Sequence, residues 1–544
     1  LKYTIKIILM NLINKTENTC PVPDRIIHKT EFGAVDHTRG NNAMNPLVTI
    51  DDPYYWLRDD ERKNVKVLDH LKSENNYTNC IMNDTKDIQK ELYDELLSHI
   101  METYDSYPLP NCDNGWNSEY YYFTRTVEGK SYPIHCRINV NTKEITELMD
   151  ENTIADGKTC CDISSFGITK DHKYMSYGID TNGNEKYELK IININTGEEF
   201  YHEIPELAYC DYTWYNDWIY YTMGDNQNRM YQVWRYNTNS KKNELLYENL
   251  DELSTVGLSM SHDKKYFFIS AGSYDTSDCY YFTHENTKPV QFTPKIKDHK
   301  YSVDYHEGSF LITTNMDNSS NFKVMICSED NTLIENWKEL IEYRDNIYIK
   351  YIVELKNYIL IGYKENGHNM VRIIPFKDSL YKLNDSYDII VEDKIRNVSI
   401  YSCPQYDSDT ILYSQNSLKL PHSIYKLDLC TRKTEFIRMR PVPNYDKSLY
   451  TTERQYAPST DGTLIPMSIV YRKEKFKKDG TNPLYLYGYG SYGHTVDPTF
   501  MSTIIPLLDR GFVYVISHVR GGSFLGFKWY EDGTLNASSN CIDR

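Results

Sequence analysis

Residues able to do chemistry bunch in two turns near the end of the 544-residue chain, Leu486-Tyr487-Gly488-Tyr489-Gly490-Ser491-Tyr492-Gly493 and Arg520-Gly521-Gly522-Ser523-Phe524-Leu525-Gly526. Glycines at this density let backbone N–H groups come close to a ligand. Acyl transfer to a serine would need such donors aimed at the oxyanion, a histidine base oriented by an acid, and a nucleophile on a G-x-S-x-G elbow. Neither serine meets the last condition. Two residues before Ser491 stands Tyr489, and two after Ser523 stands Leu525, each where the elbow requires glycine. The turns therefore offer binding and oxyanion donors, without a nucleophile of their own.

The elements that carry these turns read as a parallel α/β sheet. Apolar runs at Pro483 to Leu486 and Phe512 to Val519 predict two strands, and Ser502 to Arg510 predicts a short helical crossover between them. Open sheets of this kind place their chemistry at the carboxyl ends of the strands, where both turns fall. Upstream, Thr451 to Tyr456 and Ile465 to Tyr471 predict two further strands around the turn Ser459-Thr460-Asp461-Gly462.

Between Pro108 and Met439 the chain changes in kind. Apolar runs rich in Tyr, Ile, Val and Phe open at Tyr120, Tyr174, Trp218, Tyr266, Phe310, Tyr358 and Ile411, separated by 54, 44, 48, 44, 48 and 53 residues. Turns such as Asn141-Thr142-Lys143, Asn195-Thr196-Gly197 and Asn237-Thr238-Asn239 punctuate them. A repeat of roughly 40 to 50 residues built from short strands is the signature of β-propeller blades. One or two β-sandwiches would use similar strands without needing the period. Before this region, Leu68 and Leu71, then Ile88, Leu92, Leu96 and Ile100 at i+4, predict helices up to about Met101.

Composition narrows the function. A net charge of −17 with scattered Lys and Arg excludes a nucleic-acid partner or an anionic membrane surface, and the 50 tyrosines read as strand residues rather than a base-stacking platform. The 12 cysteines form no C-x-x-C pair, and the 15 histidines no H-E-x-x-H, so reduced thiols in a cytoplasmic protein are expected, with no metal and no cofactor. The segment Tyr3 to Ile13 is interrupted by Lys6 and Asn11, fits neither a signal peptide nor a spanning helix, and leaves Met10 as a candidate start.

Several separated motifs then point one way. Asn482 to Gly493, Leu508-Asp509-Arg510-Gly511-Phe512-Val513-Tyr514, His518-Val519-Arg520-Gly521-Gly522 and Trp529-Tyr530-Glu531-Asp532-Gly533 resemble the prolyl oligopeptidase family of serine peptidases, its oligopeptidase B branch in particular. So do Asp52 to Asp60, Glu74-Asn75-Asn76-Tyr77 and Thr124 to Ile134. The resemblance implies a seven-bladed propeller that restricts access to short peptides and an α/β-hydrolase domain that cuts them after Lys or Arg. It puts Tyr489 at the position whose phenol helps bind the oxyanion, and Arg520, Gly521, Gly522 and Trp529 along the substrate cleft. Ser523 and Phe524 stand where the family writes a third glycine and an acid. His494 and His518 match no catalytic histidine and are expected to be structural.

The expected organisation is an N-terminal extension at 1–50, a helical segment at 51–105 packing on the hydrolase domain, a seven-bladed β-propeller at 106–440, and the leading part of an α/β-hydrolase domain at 441–544. Carried over by position, the family's nucleophile, acid and histidine fall beyond Asp543-Arg544. The chain as written is then expected to be inactive, to expose an apolar sheet edge, and to need a complementing C-terminal hydrolase fragment. A non-catalytic, peptide-binding propeller protein is the alternative expectation.

Overall fold

The computed structural model describes residues 20–32, 48–111, 114–391, 395 and 397–533. The Tyr3 to Ile13 segment, Met10 and the last residues Asp543 and Arg544 lie outside them. The chain forms two compact units, Leu1–Leu97 and Ser98–Arg544.

In the first unit, His28–Phe32 and Val48–Asp52 pair antiparallel, with His28 opposite Asp52. The sequence reading had no strand here, because HKTEF and VTIDD carry too few apolar residues to show a period. Two helices follow, α1 (Val65–Met82) and α2 (Lys86–Ser98). Asn64 caps α1, its side chain accepting from the Lys66 N–H at 3.1 Å, which satisfies one of the donors a helix start leaves unpaired.

The second unit begins with seven antiparallel blades between Tyr104 and Met439, the sixth and seventh joined into one sheet by a single parallel pairing of Asn369 with Asn397. Each of the seven runs read from sequence is the second strand of one blade: Tyr120–Thr126, Tyr174–Asp180, Trp218–Gly224, Phe267–Gly272, Ser309–Thr314, Tyr358–Glu365 and Thr410–Asn416. These second strands are among the most buried in the protein, since both their faces pack on neighbouring blades. Ile219, Phe267, Ile312 and Leu360 are fully enclosed. The turns are built from side chains as well as backbone. Asn139, Asn193 and Asn237 each end a third strand, and each Oδ1 accepts two backbone N–H groups of the turn that follows, at 2.8–3.2 Å.

The first blade uses only residues from 104 to 150 and the seventh only 397–439, so no strand is shared between them. Side chains join these two blades instead. Arg438 Nη2 donates to Asp105 O at 3.1 Å and its guanidinium lies 4.7 Å from the Tyr104 ring, while Trp116 Nε1 donates to Thr410 O at 3.4 Å. The chain enters and leaves the propeller at one place, where His99 Nδ1 and Pro443 O are 3.0 Å apart.

The last sheet contains β1 (Tyr450–Pro458), β2 (Leu464–Arg472), β3 (Leu484–Gly488) and β4 (Val513–Ser517), in the spatial order β1-β2-β4-β3. β1 and β2 are antiparallel, β2 and β4 antiparallel, and β3 and β4 parallel, with Leu484 opposite Val513 and Gly488 opposite Ser517. The short helix α3 (Ile505–Asp509) makes the crossover and buries Ile505 and Leu508 against Tyr450, Val470, Tyr514 and Ile516. β3 is the edge, and all five of its residues are exposed.

Candidate active site

The two Gly-rich turns leave the carboxyl ends of β3 and β4 and cross. Gly493 N donates to Gly521 O at 2.9 Å, and Gly521 N donates to Trp529 O at 3.0 Å. The crossing explains the glycines. A Cβ at Gly490 would overlap Val519 and Arg520, one at Gly522 would meet His494 O, and Gly521 adopts φ +91° where a Cβ would run into Gly490 O. Side chains at these positions would hold the two turns apart.

Tyr489, on the outer turn, is 41% exposed and stands edge-on to His494 with ring centroids 5.5 Å apart. It follows the carboxyl end of β3 directly. The other expected cleft residues are braced into the fold. Arg520 is buried, and its Nη1 donates to Asp461 Oδ2 at 2.7 Å and to Thr463 Oγ1 at 3.3 Å. The Arg520 guanidinium holds the Asp461 carboxyl down at about 2. Trp529 lies in the first turn of α4 (Phe527–Glu531), and its Nε1 donates to His518 O at 3.0 Å. Gly521 and Gly522 are buried in the crossing.

Both serines considered as nucleophiles and both nearby histidines can now be placed. Ser523 Oγ donates to Gly493 O at 2.7 Å and lies 3.0 Å from Thr495 Oγ1, so it ties the turns together. Ser491 sits on the outer turn, its carbonyl accepting the His494 N–H at 3.1 Å. A serine–histidine hydrogen bond does occur, between Ser468 Oγ and His518 Nε2 at 2.7 Å. It is fully enclosed, and burial beside Arg454 and Lys364 drives the His518 imidazole well below its usual range. His518 is thus neutral and stacked on Phe524, with centroids 3.5 Å apart.

Residues from the propeller complete the site, and sequence reasoning did not find them. Lys364, at the end of a blade-six strand, donates to Asp497 Oδ1 at 2.6 Å, and Asn369 Nδ2 donates to Asp497 Oδ2 at 2.7 Å. Burial pulls the Lys364 ammonium below its usual range although Asp497 opposes this. In blade five, Asn321 Oδ1 accepts the Phe527 N–H at 2.7 Å and so holds the start of α4. Nothing local in the sequence marks Lys364, Asn369 or Asn321, whose partners lie more than a hundred positions away.

Seven blades of four or five strands followed by a β1-β2-β4-β3 sheet with crossed Gly turns match known proteins closely. Residues 34–440 match the family described as prolyl oligopeptidase, N-terminal beta-propeller domain, and 498–543 match the prolyl oligopeptidase family. The chain belongs to the prolyl oligopeptidase family. It is 31% identical to dipeptidyl aminopeptidase BI of Pseudoxanthomonas mexicana over 89% of this chain and 68% of that protein. It is 28% identical to Protease 2 of Moraxella lacunata over 90% of this chain and 70% of that one. Among solved structures, oligopeptidase B from Leishmania major superposes with a TM-score of 0.88 at 26% identity, over 97% of this chain and 75% of that one. Oligopeptidase B from Trypanosoma brucei with covalently bound antipain, in its closed form, gives 0.88 at 27% identity, over 96% and 75%. The family resemblance read from sequence, and the propeller with a partial hydrolase sheet, are thereby established.

Proposed function

We propose that this protein serves the hydrolysis of short peptides after Lys or Arg through a serine acyl-enzyme. In this reading the Tyr489 phenol, beside a backbone N–H, binds the oxyanion, while Arg520, Gly521, Gly522 and Trp529 shape the cleft by holding the crossed turns. The observation that carries it is the exposed Tyr489 at the carboxyl end of β3, held there by the Gly490–Gly521 crossing. Nucleophile, acid and base are assigned to a further hydrolase segment that pairs along β3, whose five exposed residues present an unpaired edge. The ten described cysteines are all free thiols, which supports a cytoplasmic setting.

A second reading, peptide binding without cleavage, is favoured by the two serines of the crossed turns, neither of which sits on a G-x-S-x-G elbow, Ser523 being tied to Gly493 O instead. One experiment separates them. The chain is co-expressed with the part of the Moraxella lacunata protein that it does not match, and cleavage of fluorogenic peptides ending in Arg or Pro is followed. The first reading expects the pair to cleave the Arg substrate at least about tenfold faster than the Pro substrate. A soluble, co-purifying pair that binds peptides and cleaves none of them would establish the second.

A further inference from the structure

Three positive or potentially positive groups surround Phe524, and one of them has no answering charge. Lys364 Nζ lies 5.3 Å and Arg454 Cζ 4.8 Å from the Phe524 ring centre. His518 is neutral, and Asp497 is committed at both oxygens, to Lys364 and to Asn369. Arg454 Nε and Nη2 are shut off from solvent and have no hydrogen-bond partner among the described residues. Asp497 and Tyr456 act on this guanidinium only across space, and burial draws it below its usual range. A guanidinium does not shed its proton to escape such a site, so two desolvated donors stand unsatisfied at a real cost.

The identity of the two atoms indicates the ligand. Nε and Nη2 form the side-on edge of a guanidinium, the edge that grips the two oxygens of one carboxylate in parallel. Two other arginines of this protein use it so. Arg125 holds Asp105 through Nε at 2.7 Å and Nη2 at 3.0 Å, and Arg372 holds Asp388 through the same pair at 2.9 Å each. Arg454 presents the same fork with no acid in it.

We propose that Arg454, beside Phe524 and Lys364, is a binding site for a carboxylate from outside the chain, either a small organic acid or the carboxyl terminus of a short peptide. The site rests on Arg454 and its neighbours whether or not the protein cleaves peptides.

Thermal melting of the full chain tests this, with sodium acetate, triglycine and triglycine amide each compared against sodium chloride at equal ionic strength. Acetate and triglycine are expected to raise the midpoint by about 1–2 °C, and the amide to leave it unchanged. A larger shift from triglycine than from acetate at equal concentration identifies the peptide as the source, and the reverse identifies a free organic acid. Arg454→Met should abolish the response. Phe524→Glu, which supplies a carboxylate from within, should raise the basal midpoint and also abolish it, so the idea stays testable if one variant does not fold. A wild-type midpoint indifferent to both acids, or a folded variant that responds as wild type does, overturns the proposal.

Discussion

Tyr489 and Gly521 show how much of this site is decided one residue at a time. In the complemented enzyme proposed above, Tyr489→Phe removes a single donor aimed at the oxyanion and is expected to lower kcat about a hundredfold with KM nearly unchanged. Equal loss in kcat and binding affinity would instead mean that Tyr489 positions substrate. Gly521→Ala adds a methyl where φ is +91° and where a Cβ would run into Gly490 O. The strain and the separation of the turns should cost about 3 kcal/mol or more, read as a lower urea midpoint. The crowding at Gly521 was legible in the sequence, because glycine density is a local signal, whereas the role proposed for Tyr489 came from the family resemblance alone. Arg520 was legible as part of the motif, whereas its engagement with Asp461 was not, since the two are 59 positions apart.

At the scale of elements, β3 is the least supported. Leu484, Tyr485, Leu486 and Tyr487 are all exposed on a strand that pairs with β4 on one side and with no strand among the described residues on the other, the arrangement that templates aggregation. Replacing Leu484 and Leu486 with Lys is expected to raise the soluble yield of the chain and to lower its light scattering on heating. The same pair should block association with the complementing hydrolase segment. Unchanged aggregation would shift attention to other exposed apolar residues. The strand itself was readable as a short apolar run before a Gly-rich turn, but its exposure depends on what lies beside it in the sheet. The helices α1 and α2 were readable from their i+4 stripe. The hairpin of His28–Phe32 with Val48–Asp52 was not, because its strands pair polar residues across a connection of fifteen.

At the largest scale, the propeller is a set of seven blades whose seams are held in different ways. Between blades one and seven no strand is shared, so Arg438→Ala, which removes the hold on Asp105 O and the Tyr104 ring, should speed amide exchange in Tyr120–Thr126 and Thr434–Met439 more than elsewhere. Uniform exchange across the ring would show that this side chain does not close it. Between blades five and six, strand alternation turns Asp304, on the face opposite Val303, and Glu354, on the same face as Ile352, into one seam. His306 and Tyr381 face the same seam and are hydrogen-bonded to each other at 2.8 Å. Burial pushes the Asp304 carboxyl up to about 7 and raises Glu354 as well, the charge of Asp304 adding to the effect on Glu354. A raised folded value makes the contribution full below the unfolded value near 4, and progressively lost as pH rises to about 7. Stability should therefore fall by about 1–3 kcal/mol between pH 5 and pH 8, and Asp304→Asn should flatten that slope in urea titrations.

What the sequence determined by itself was periodic or local. Seven second strands at a spacing of 44 to 54 residues, the order of the hydrolase strands, and the glycines of the crossed turns follow from patterns that neighbours along the chain already display. Backbone geometry repeats them wherever the same residue types recur. Only the tertiary structure decided which charges meet: Lys364 and Asn369 on Asp497, the seam between Asp304 and Glu354, and the empty fork of Arg454 beside Phe524. Each depends on residues from different elements brought within a few ångströms, where water is excluded. There a charge acquires the cost or the partner that its position along the chain does not specify.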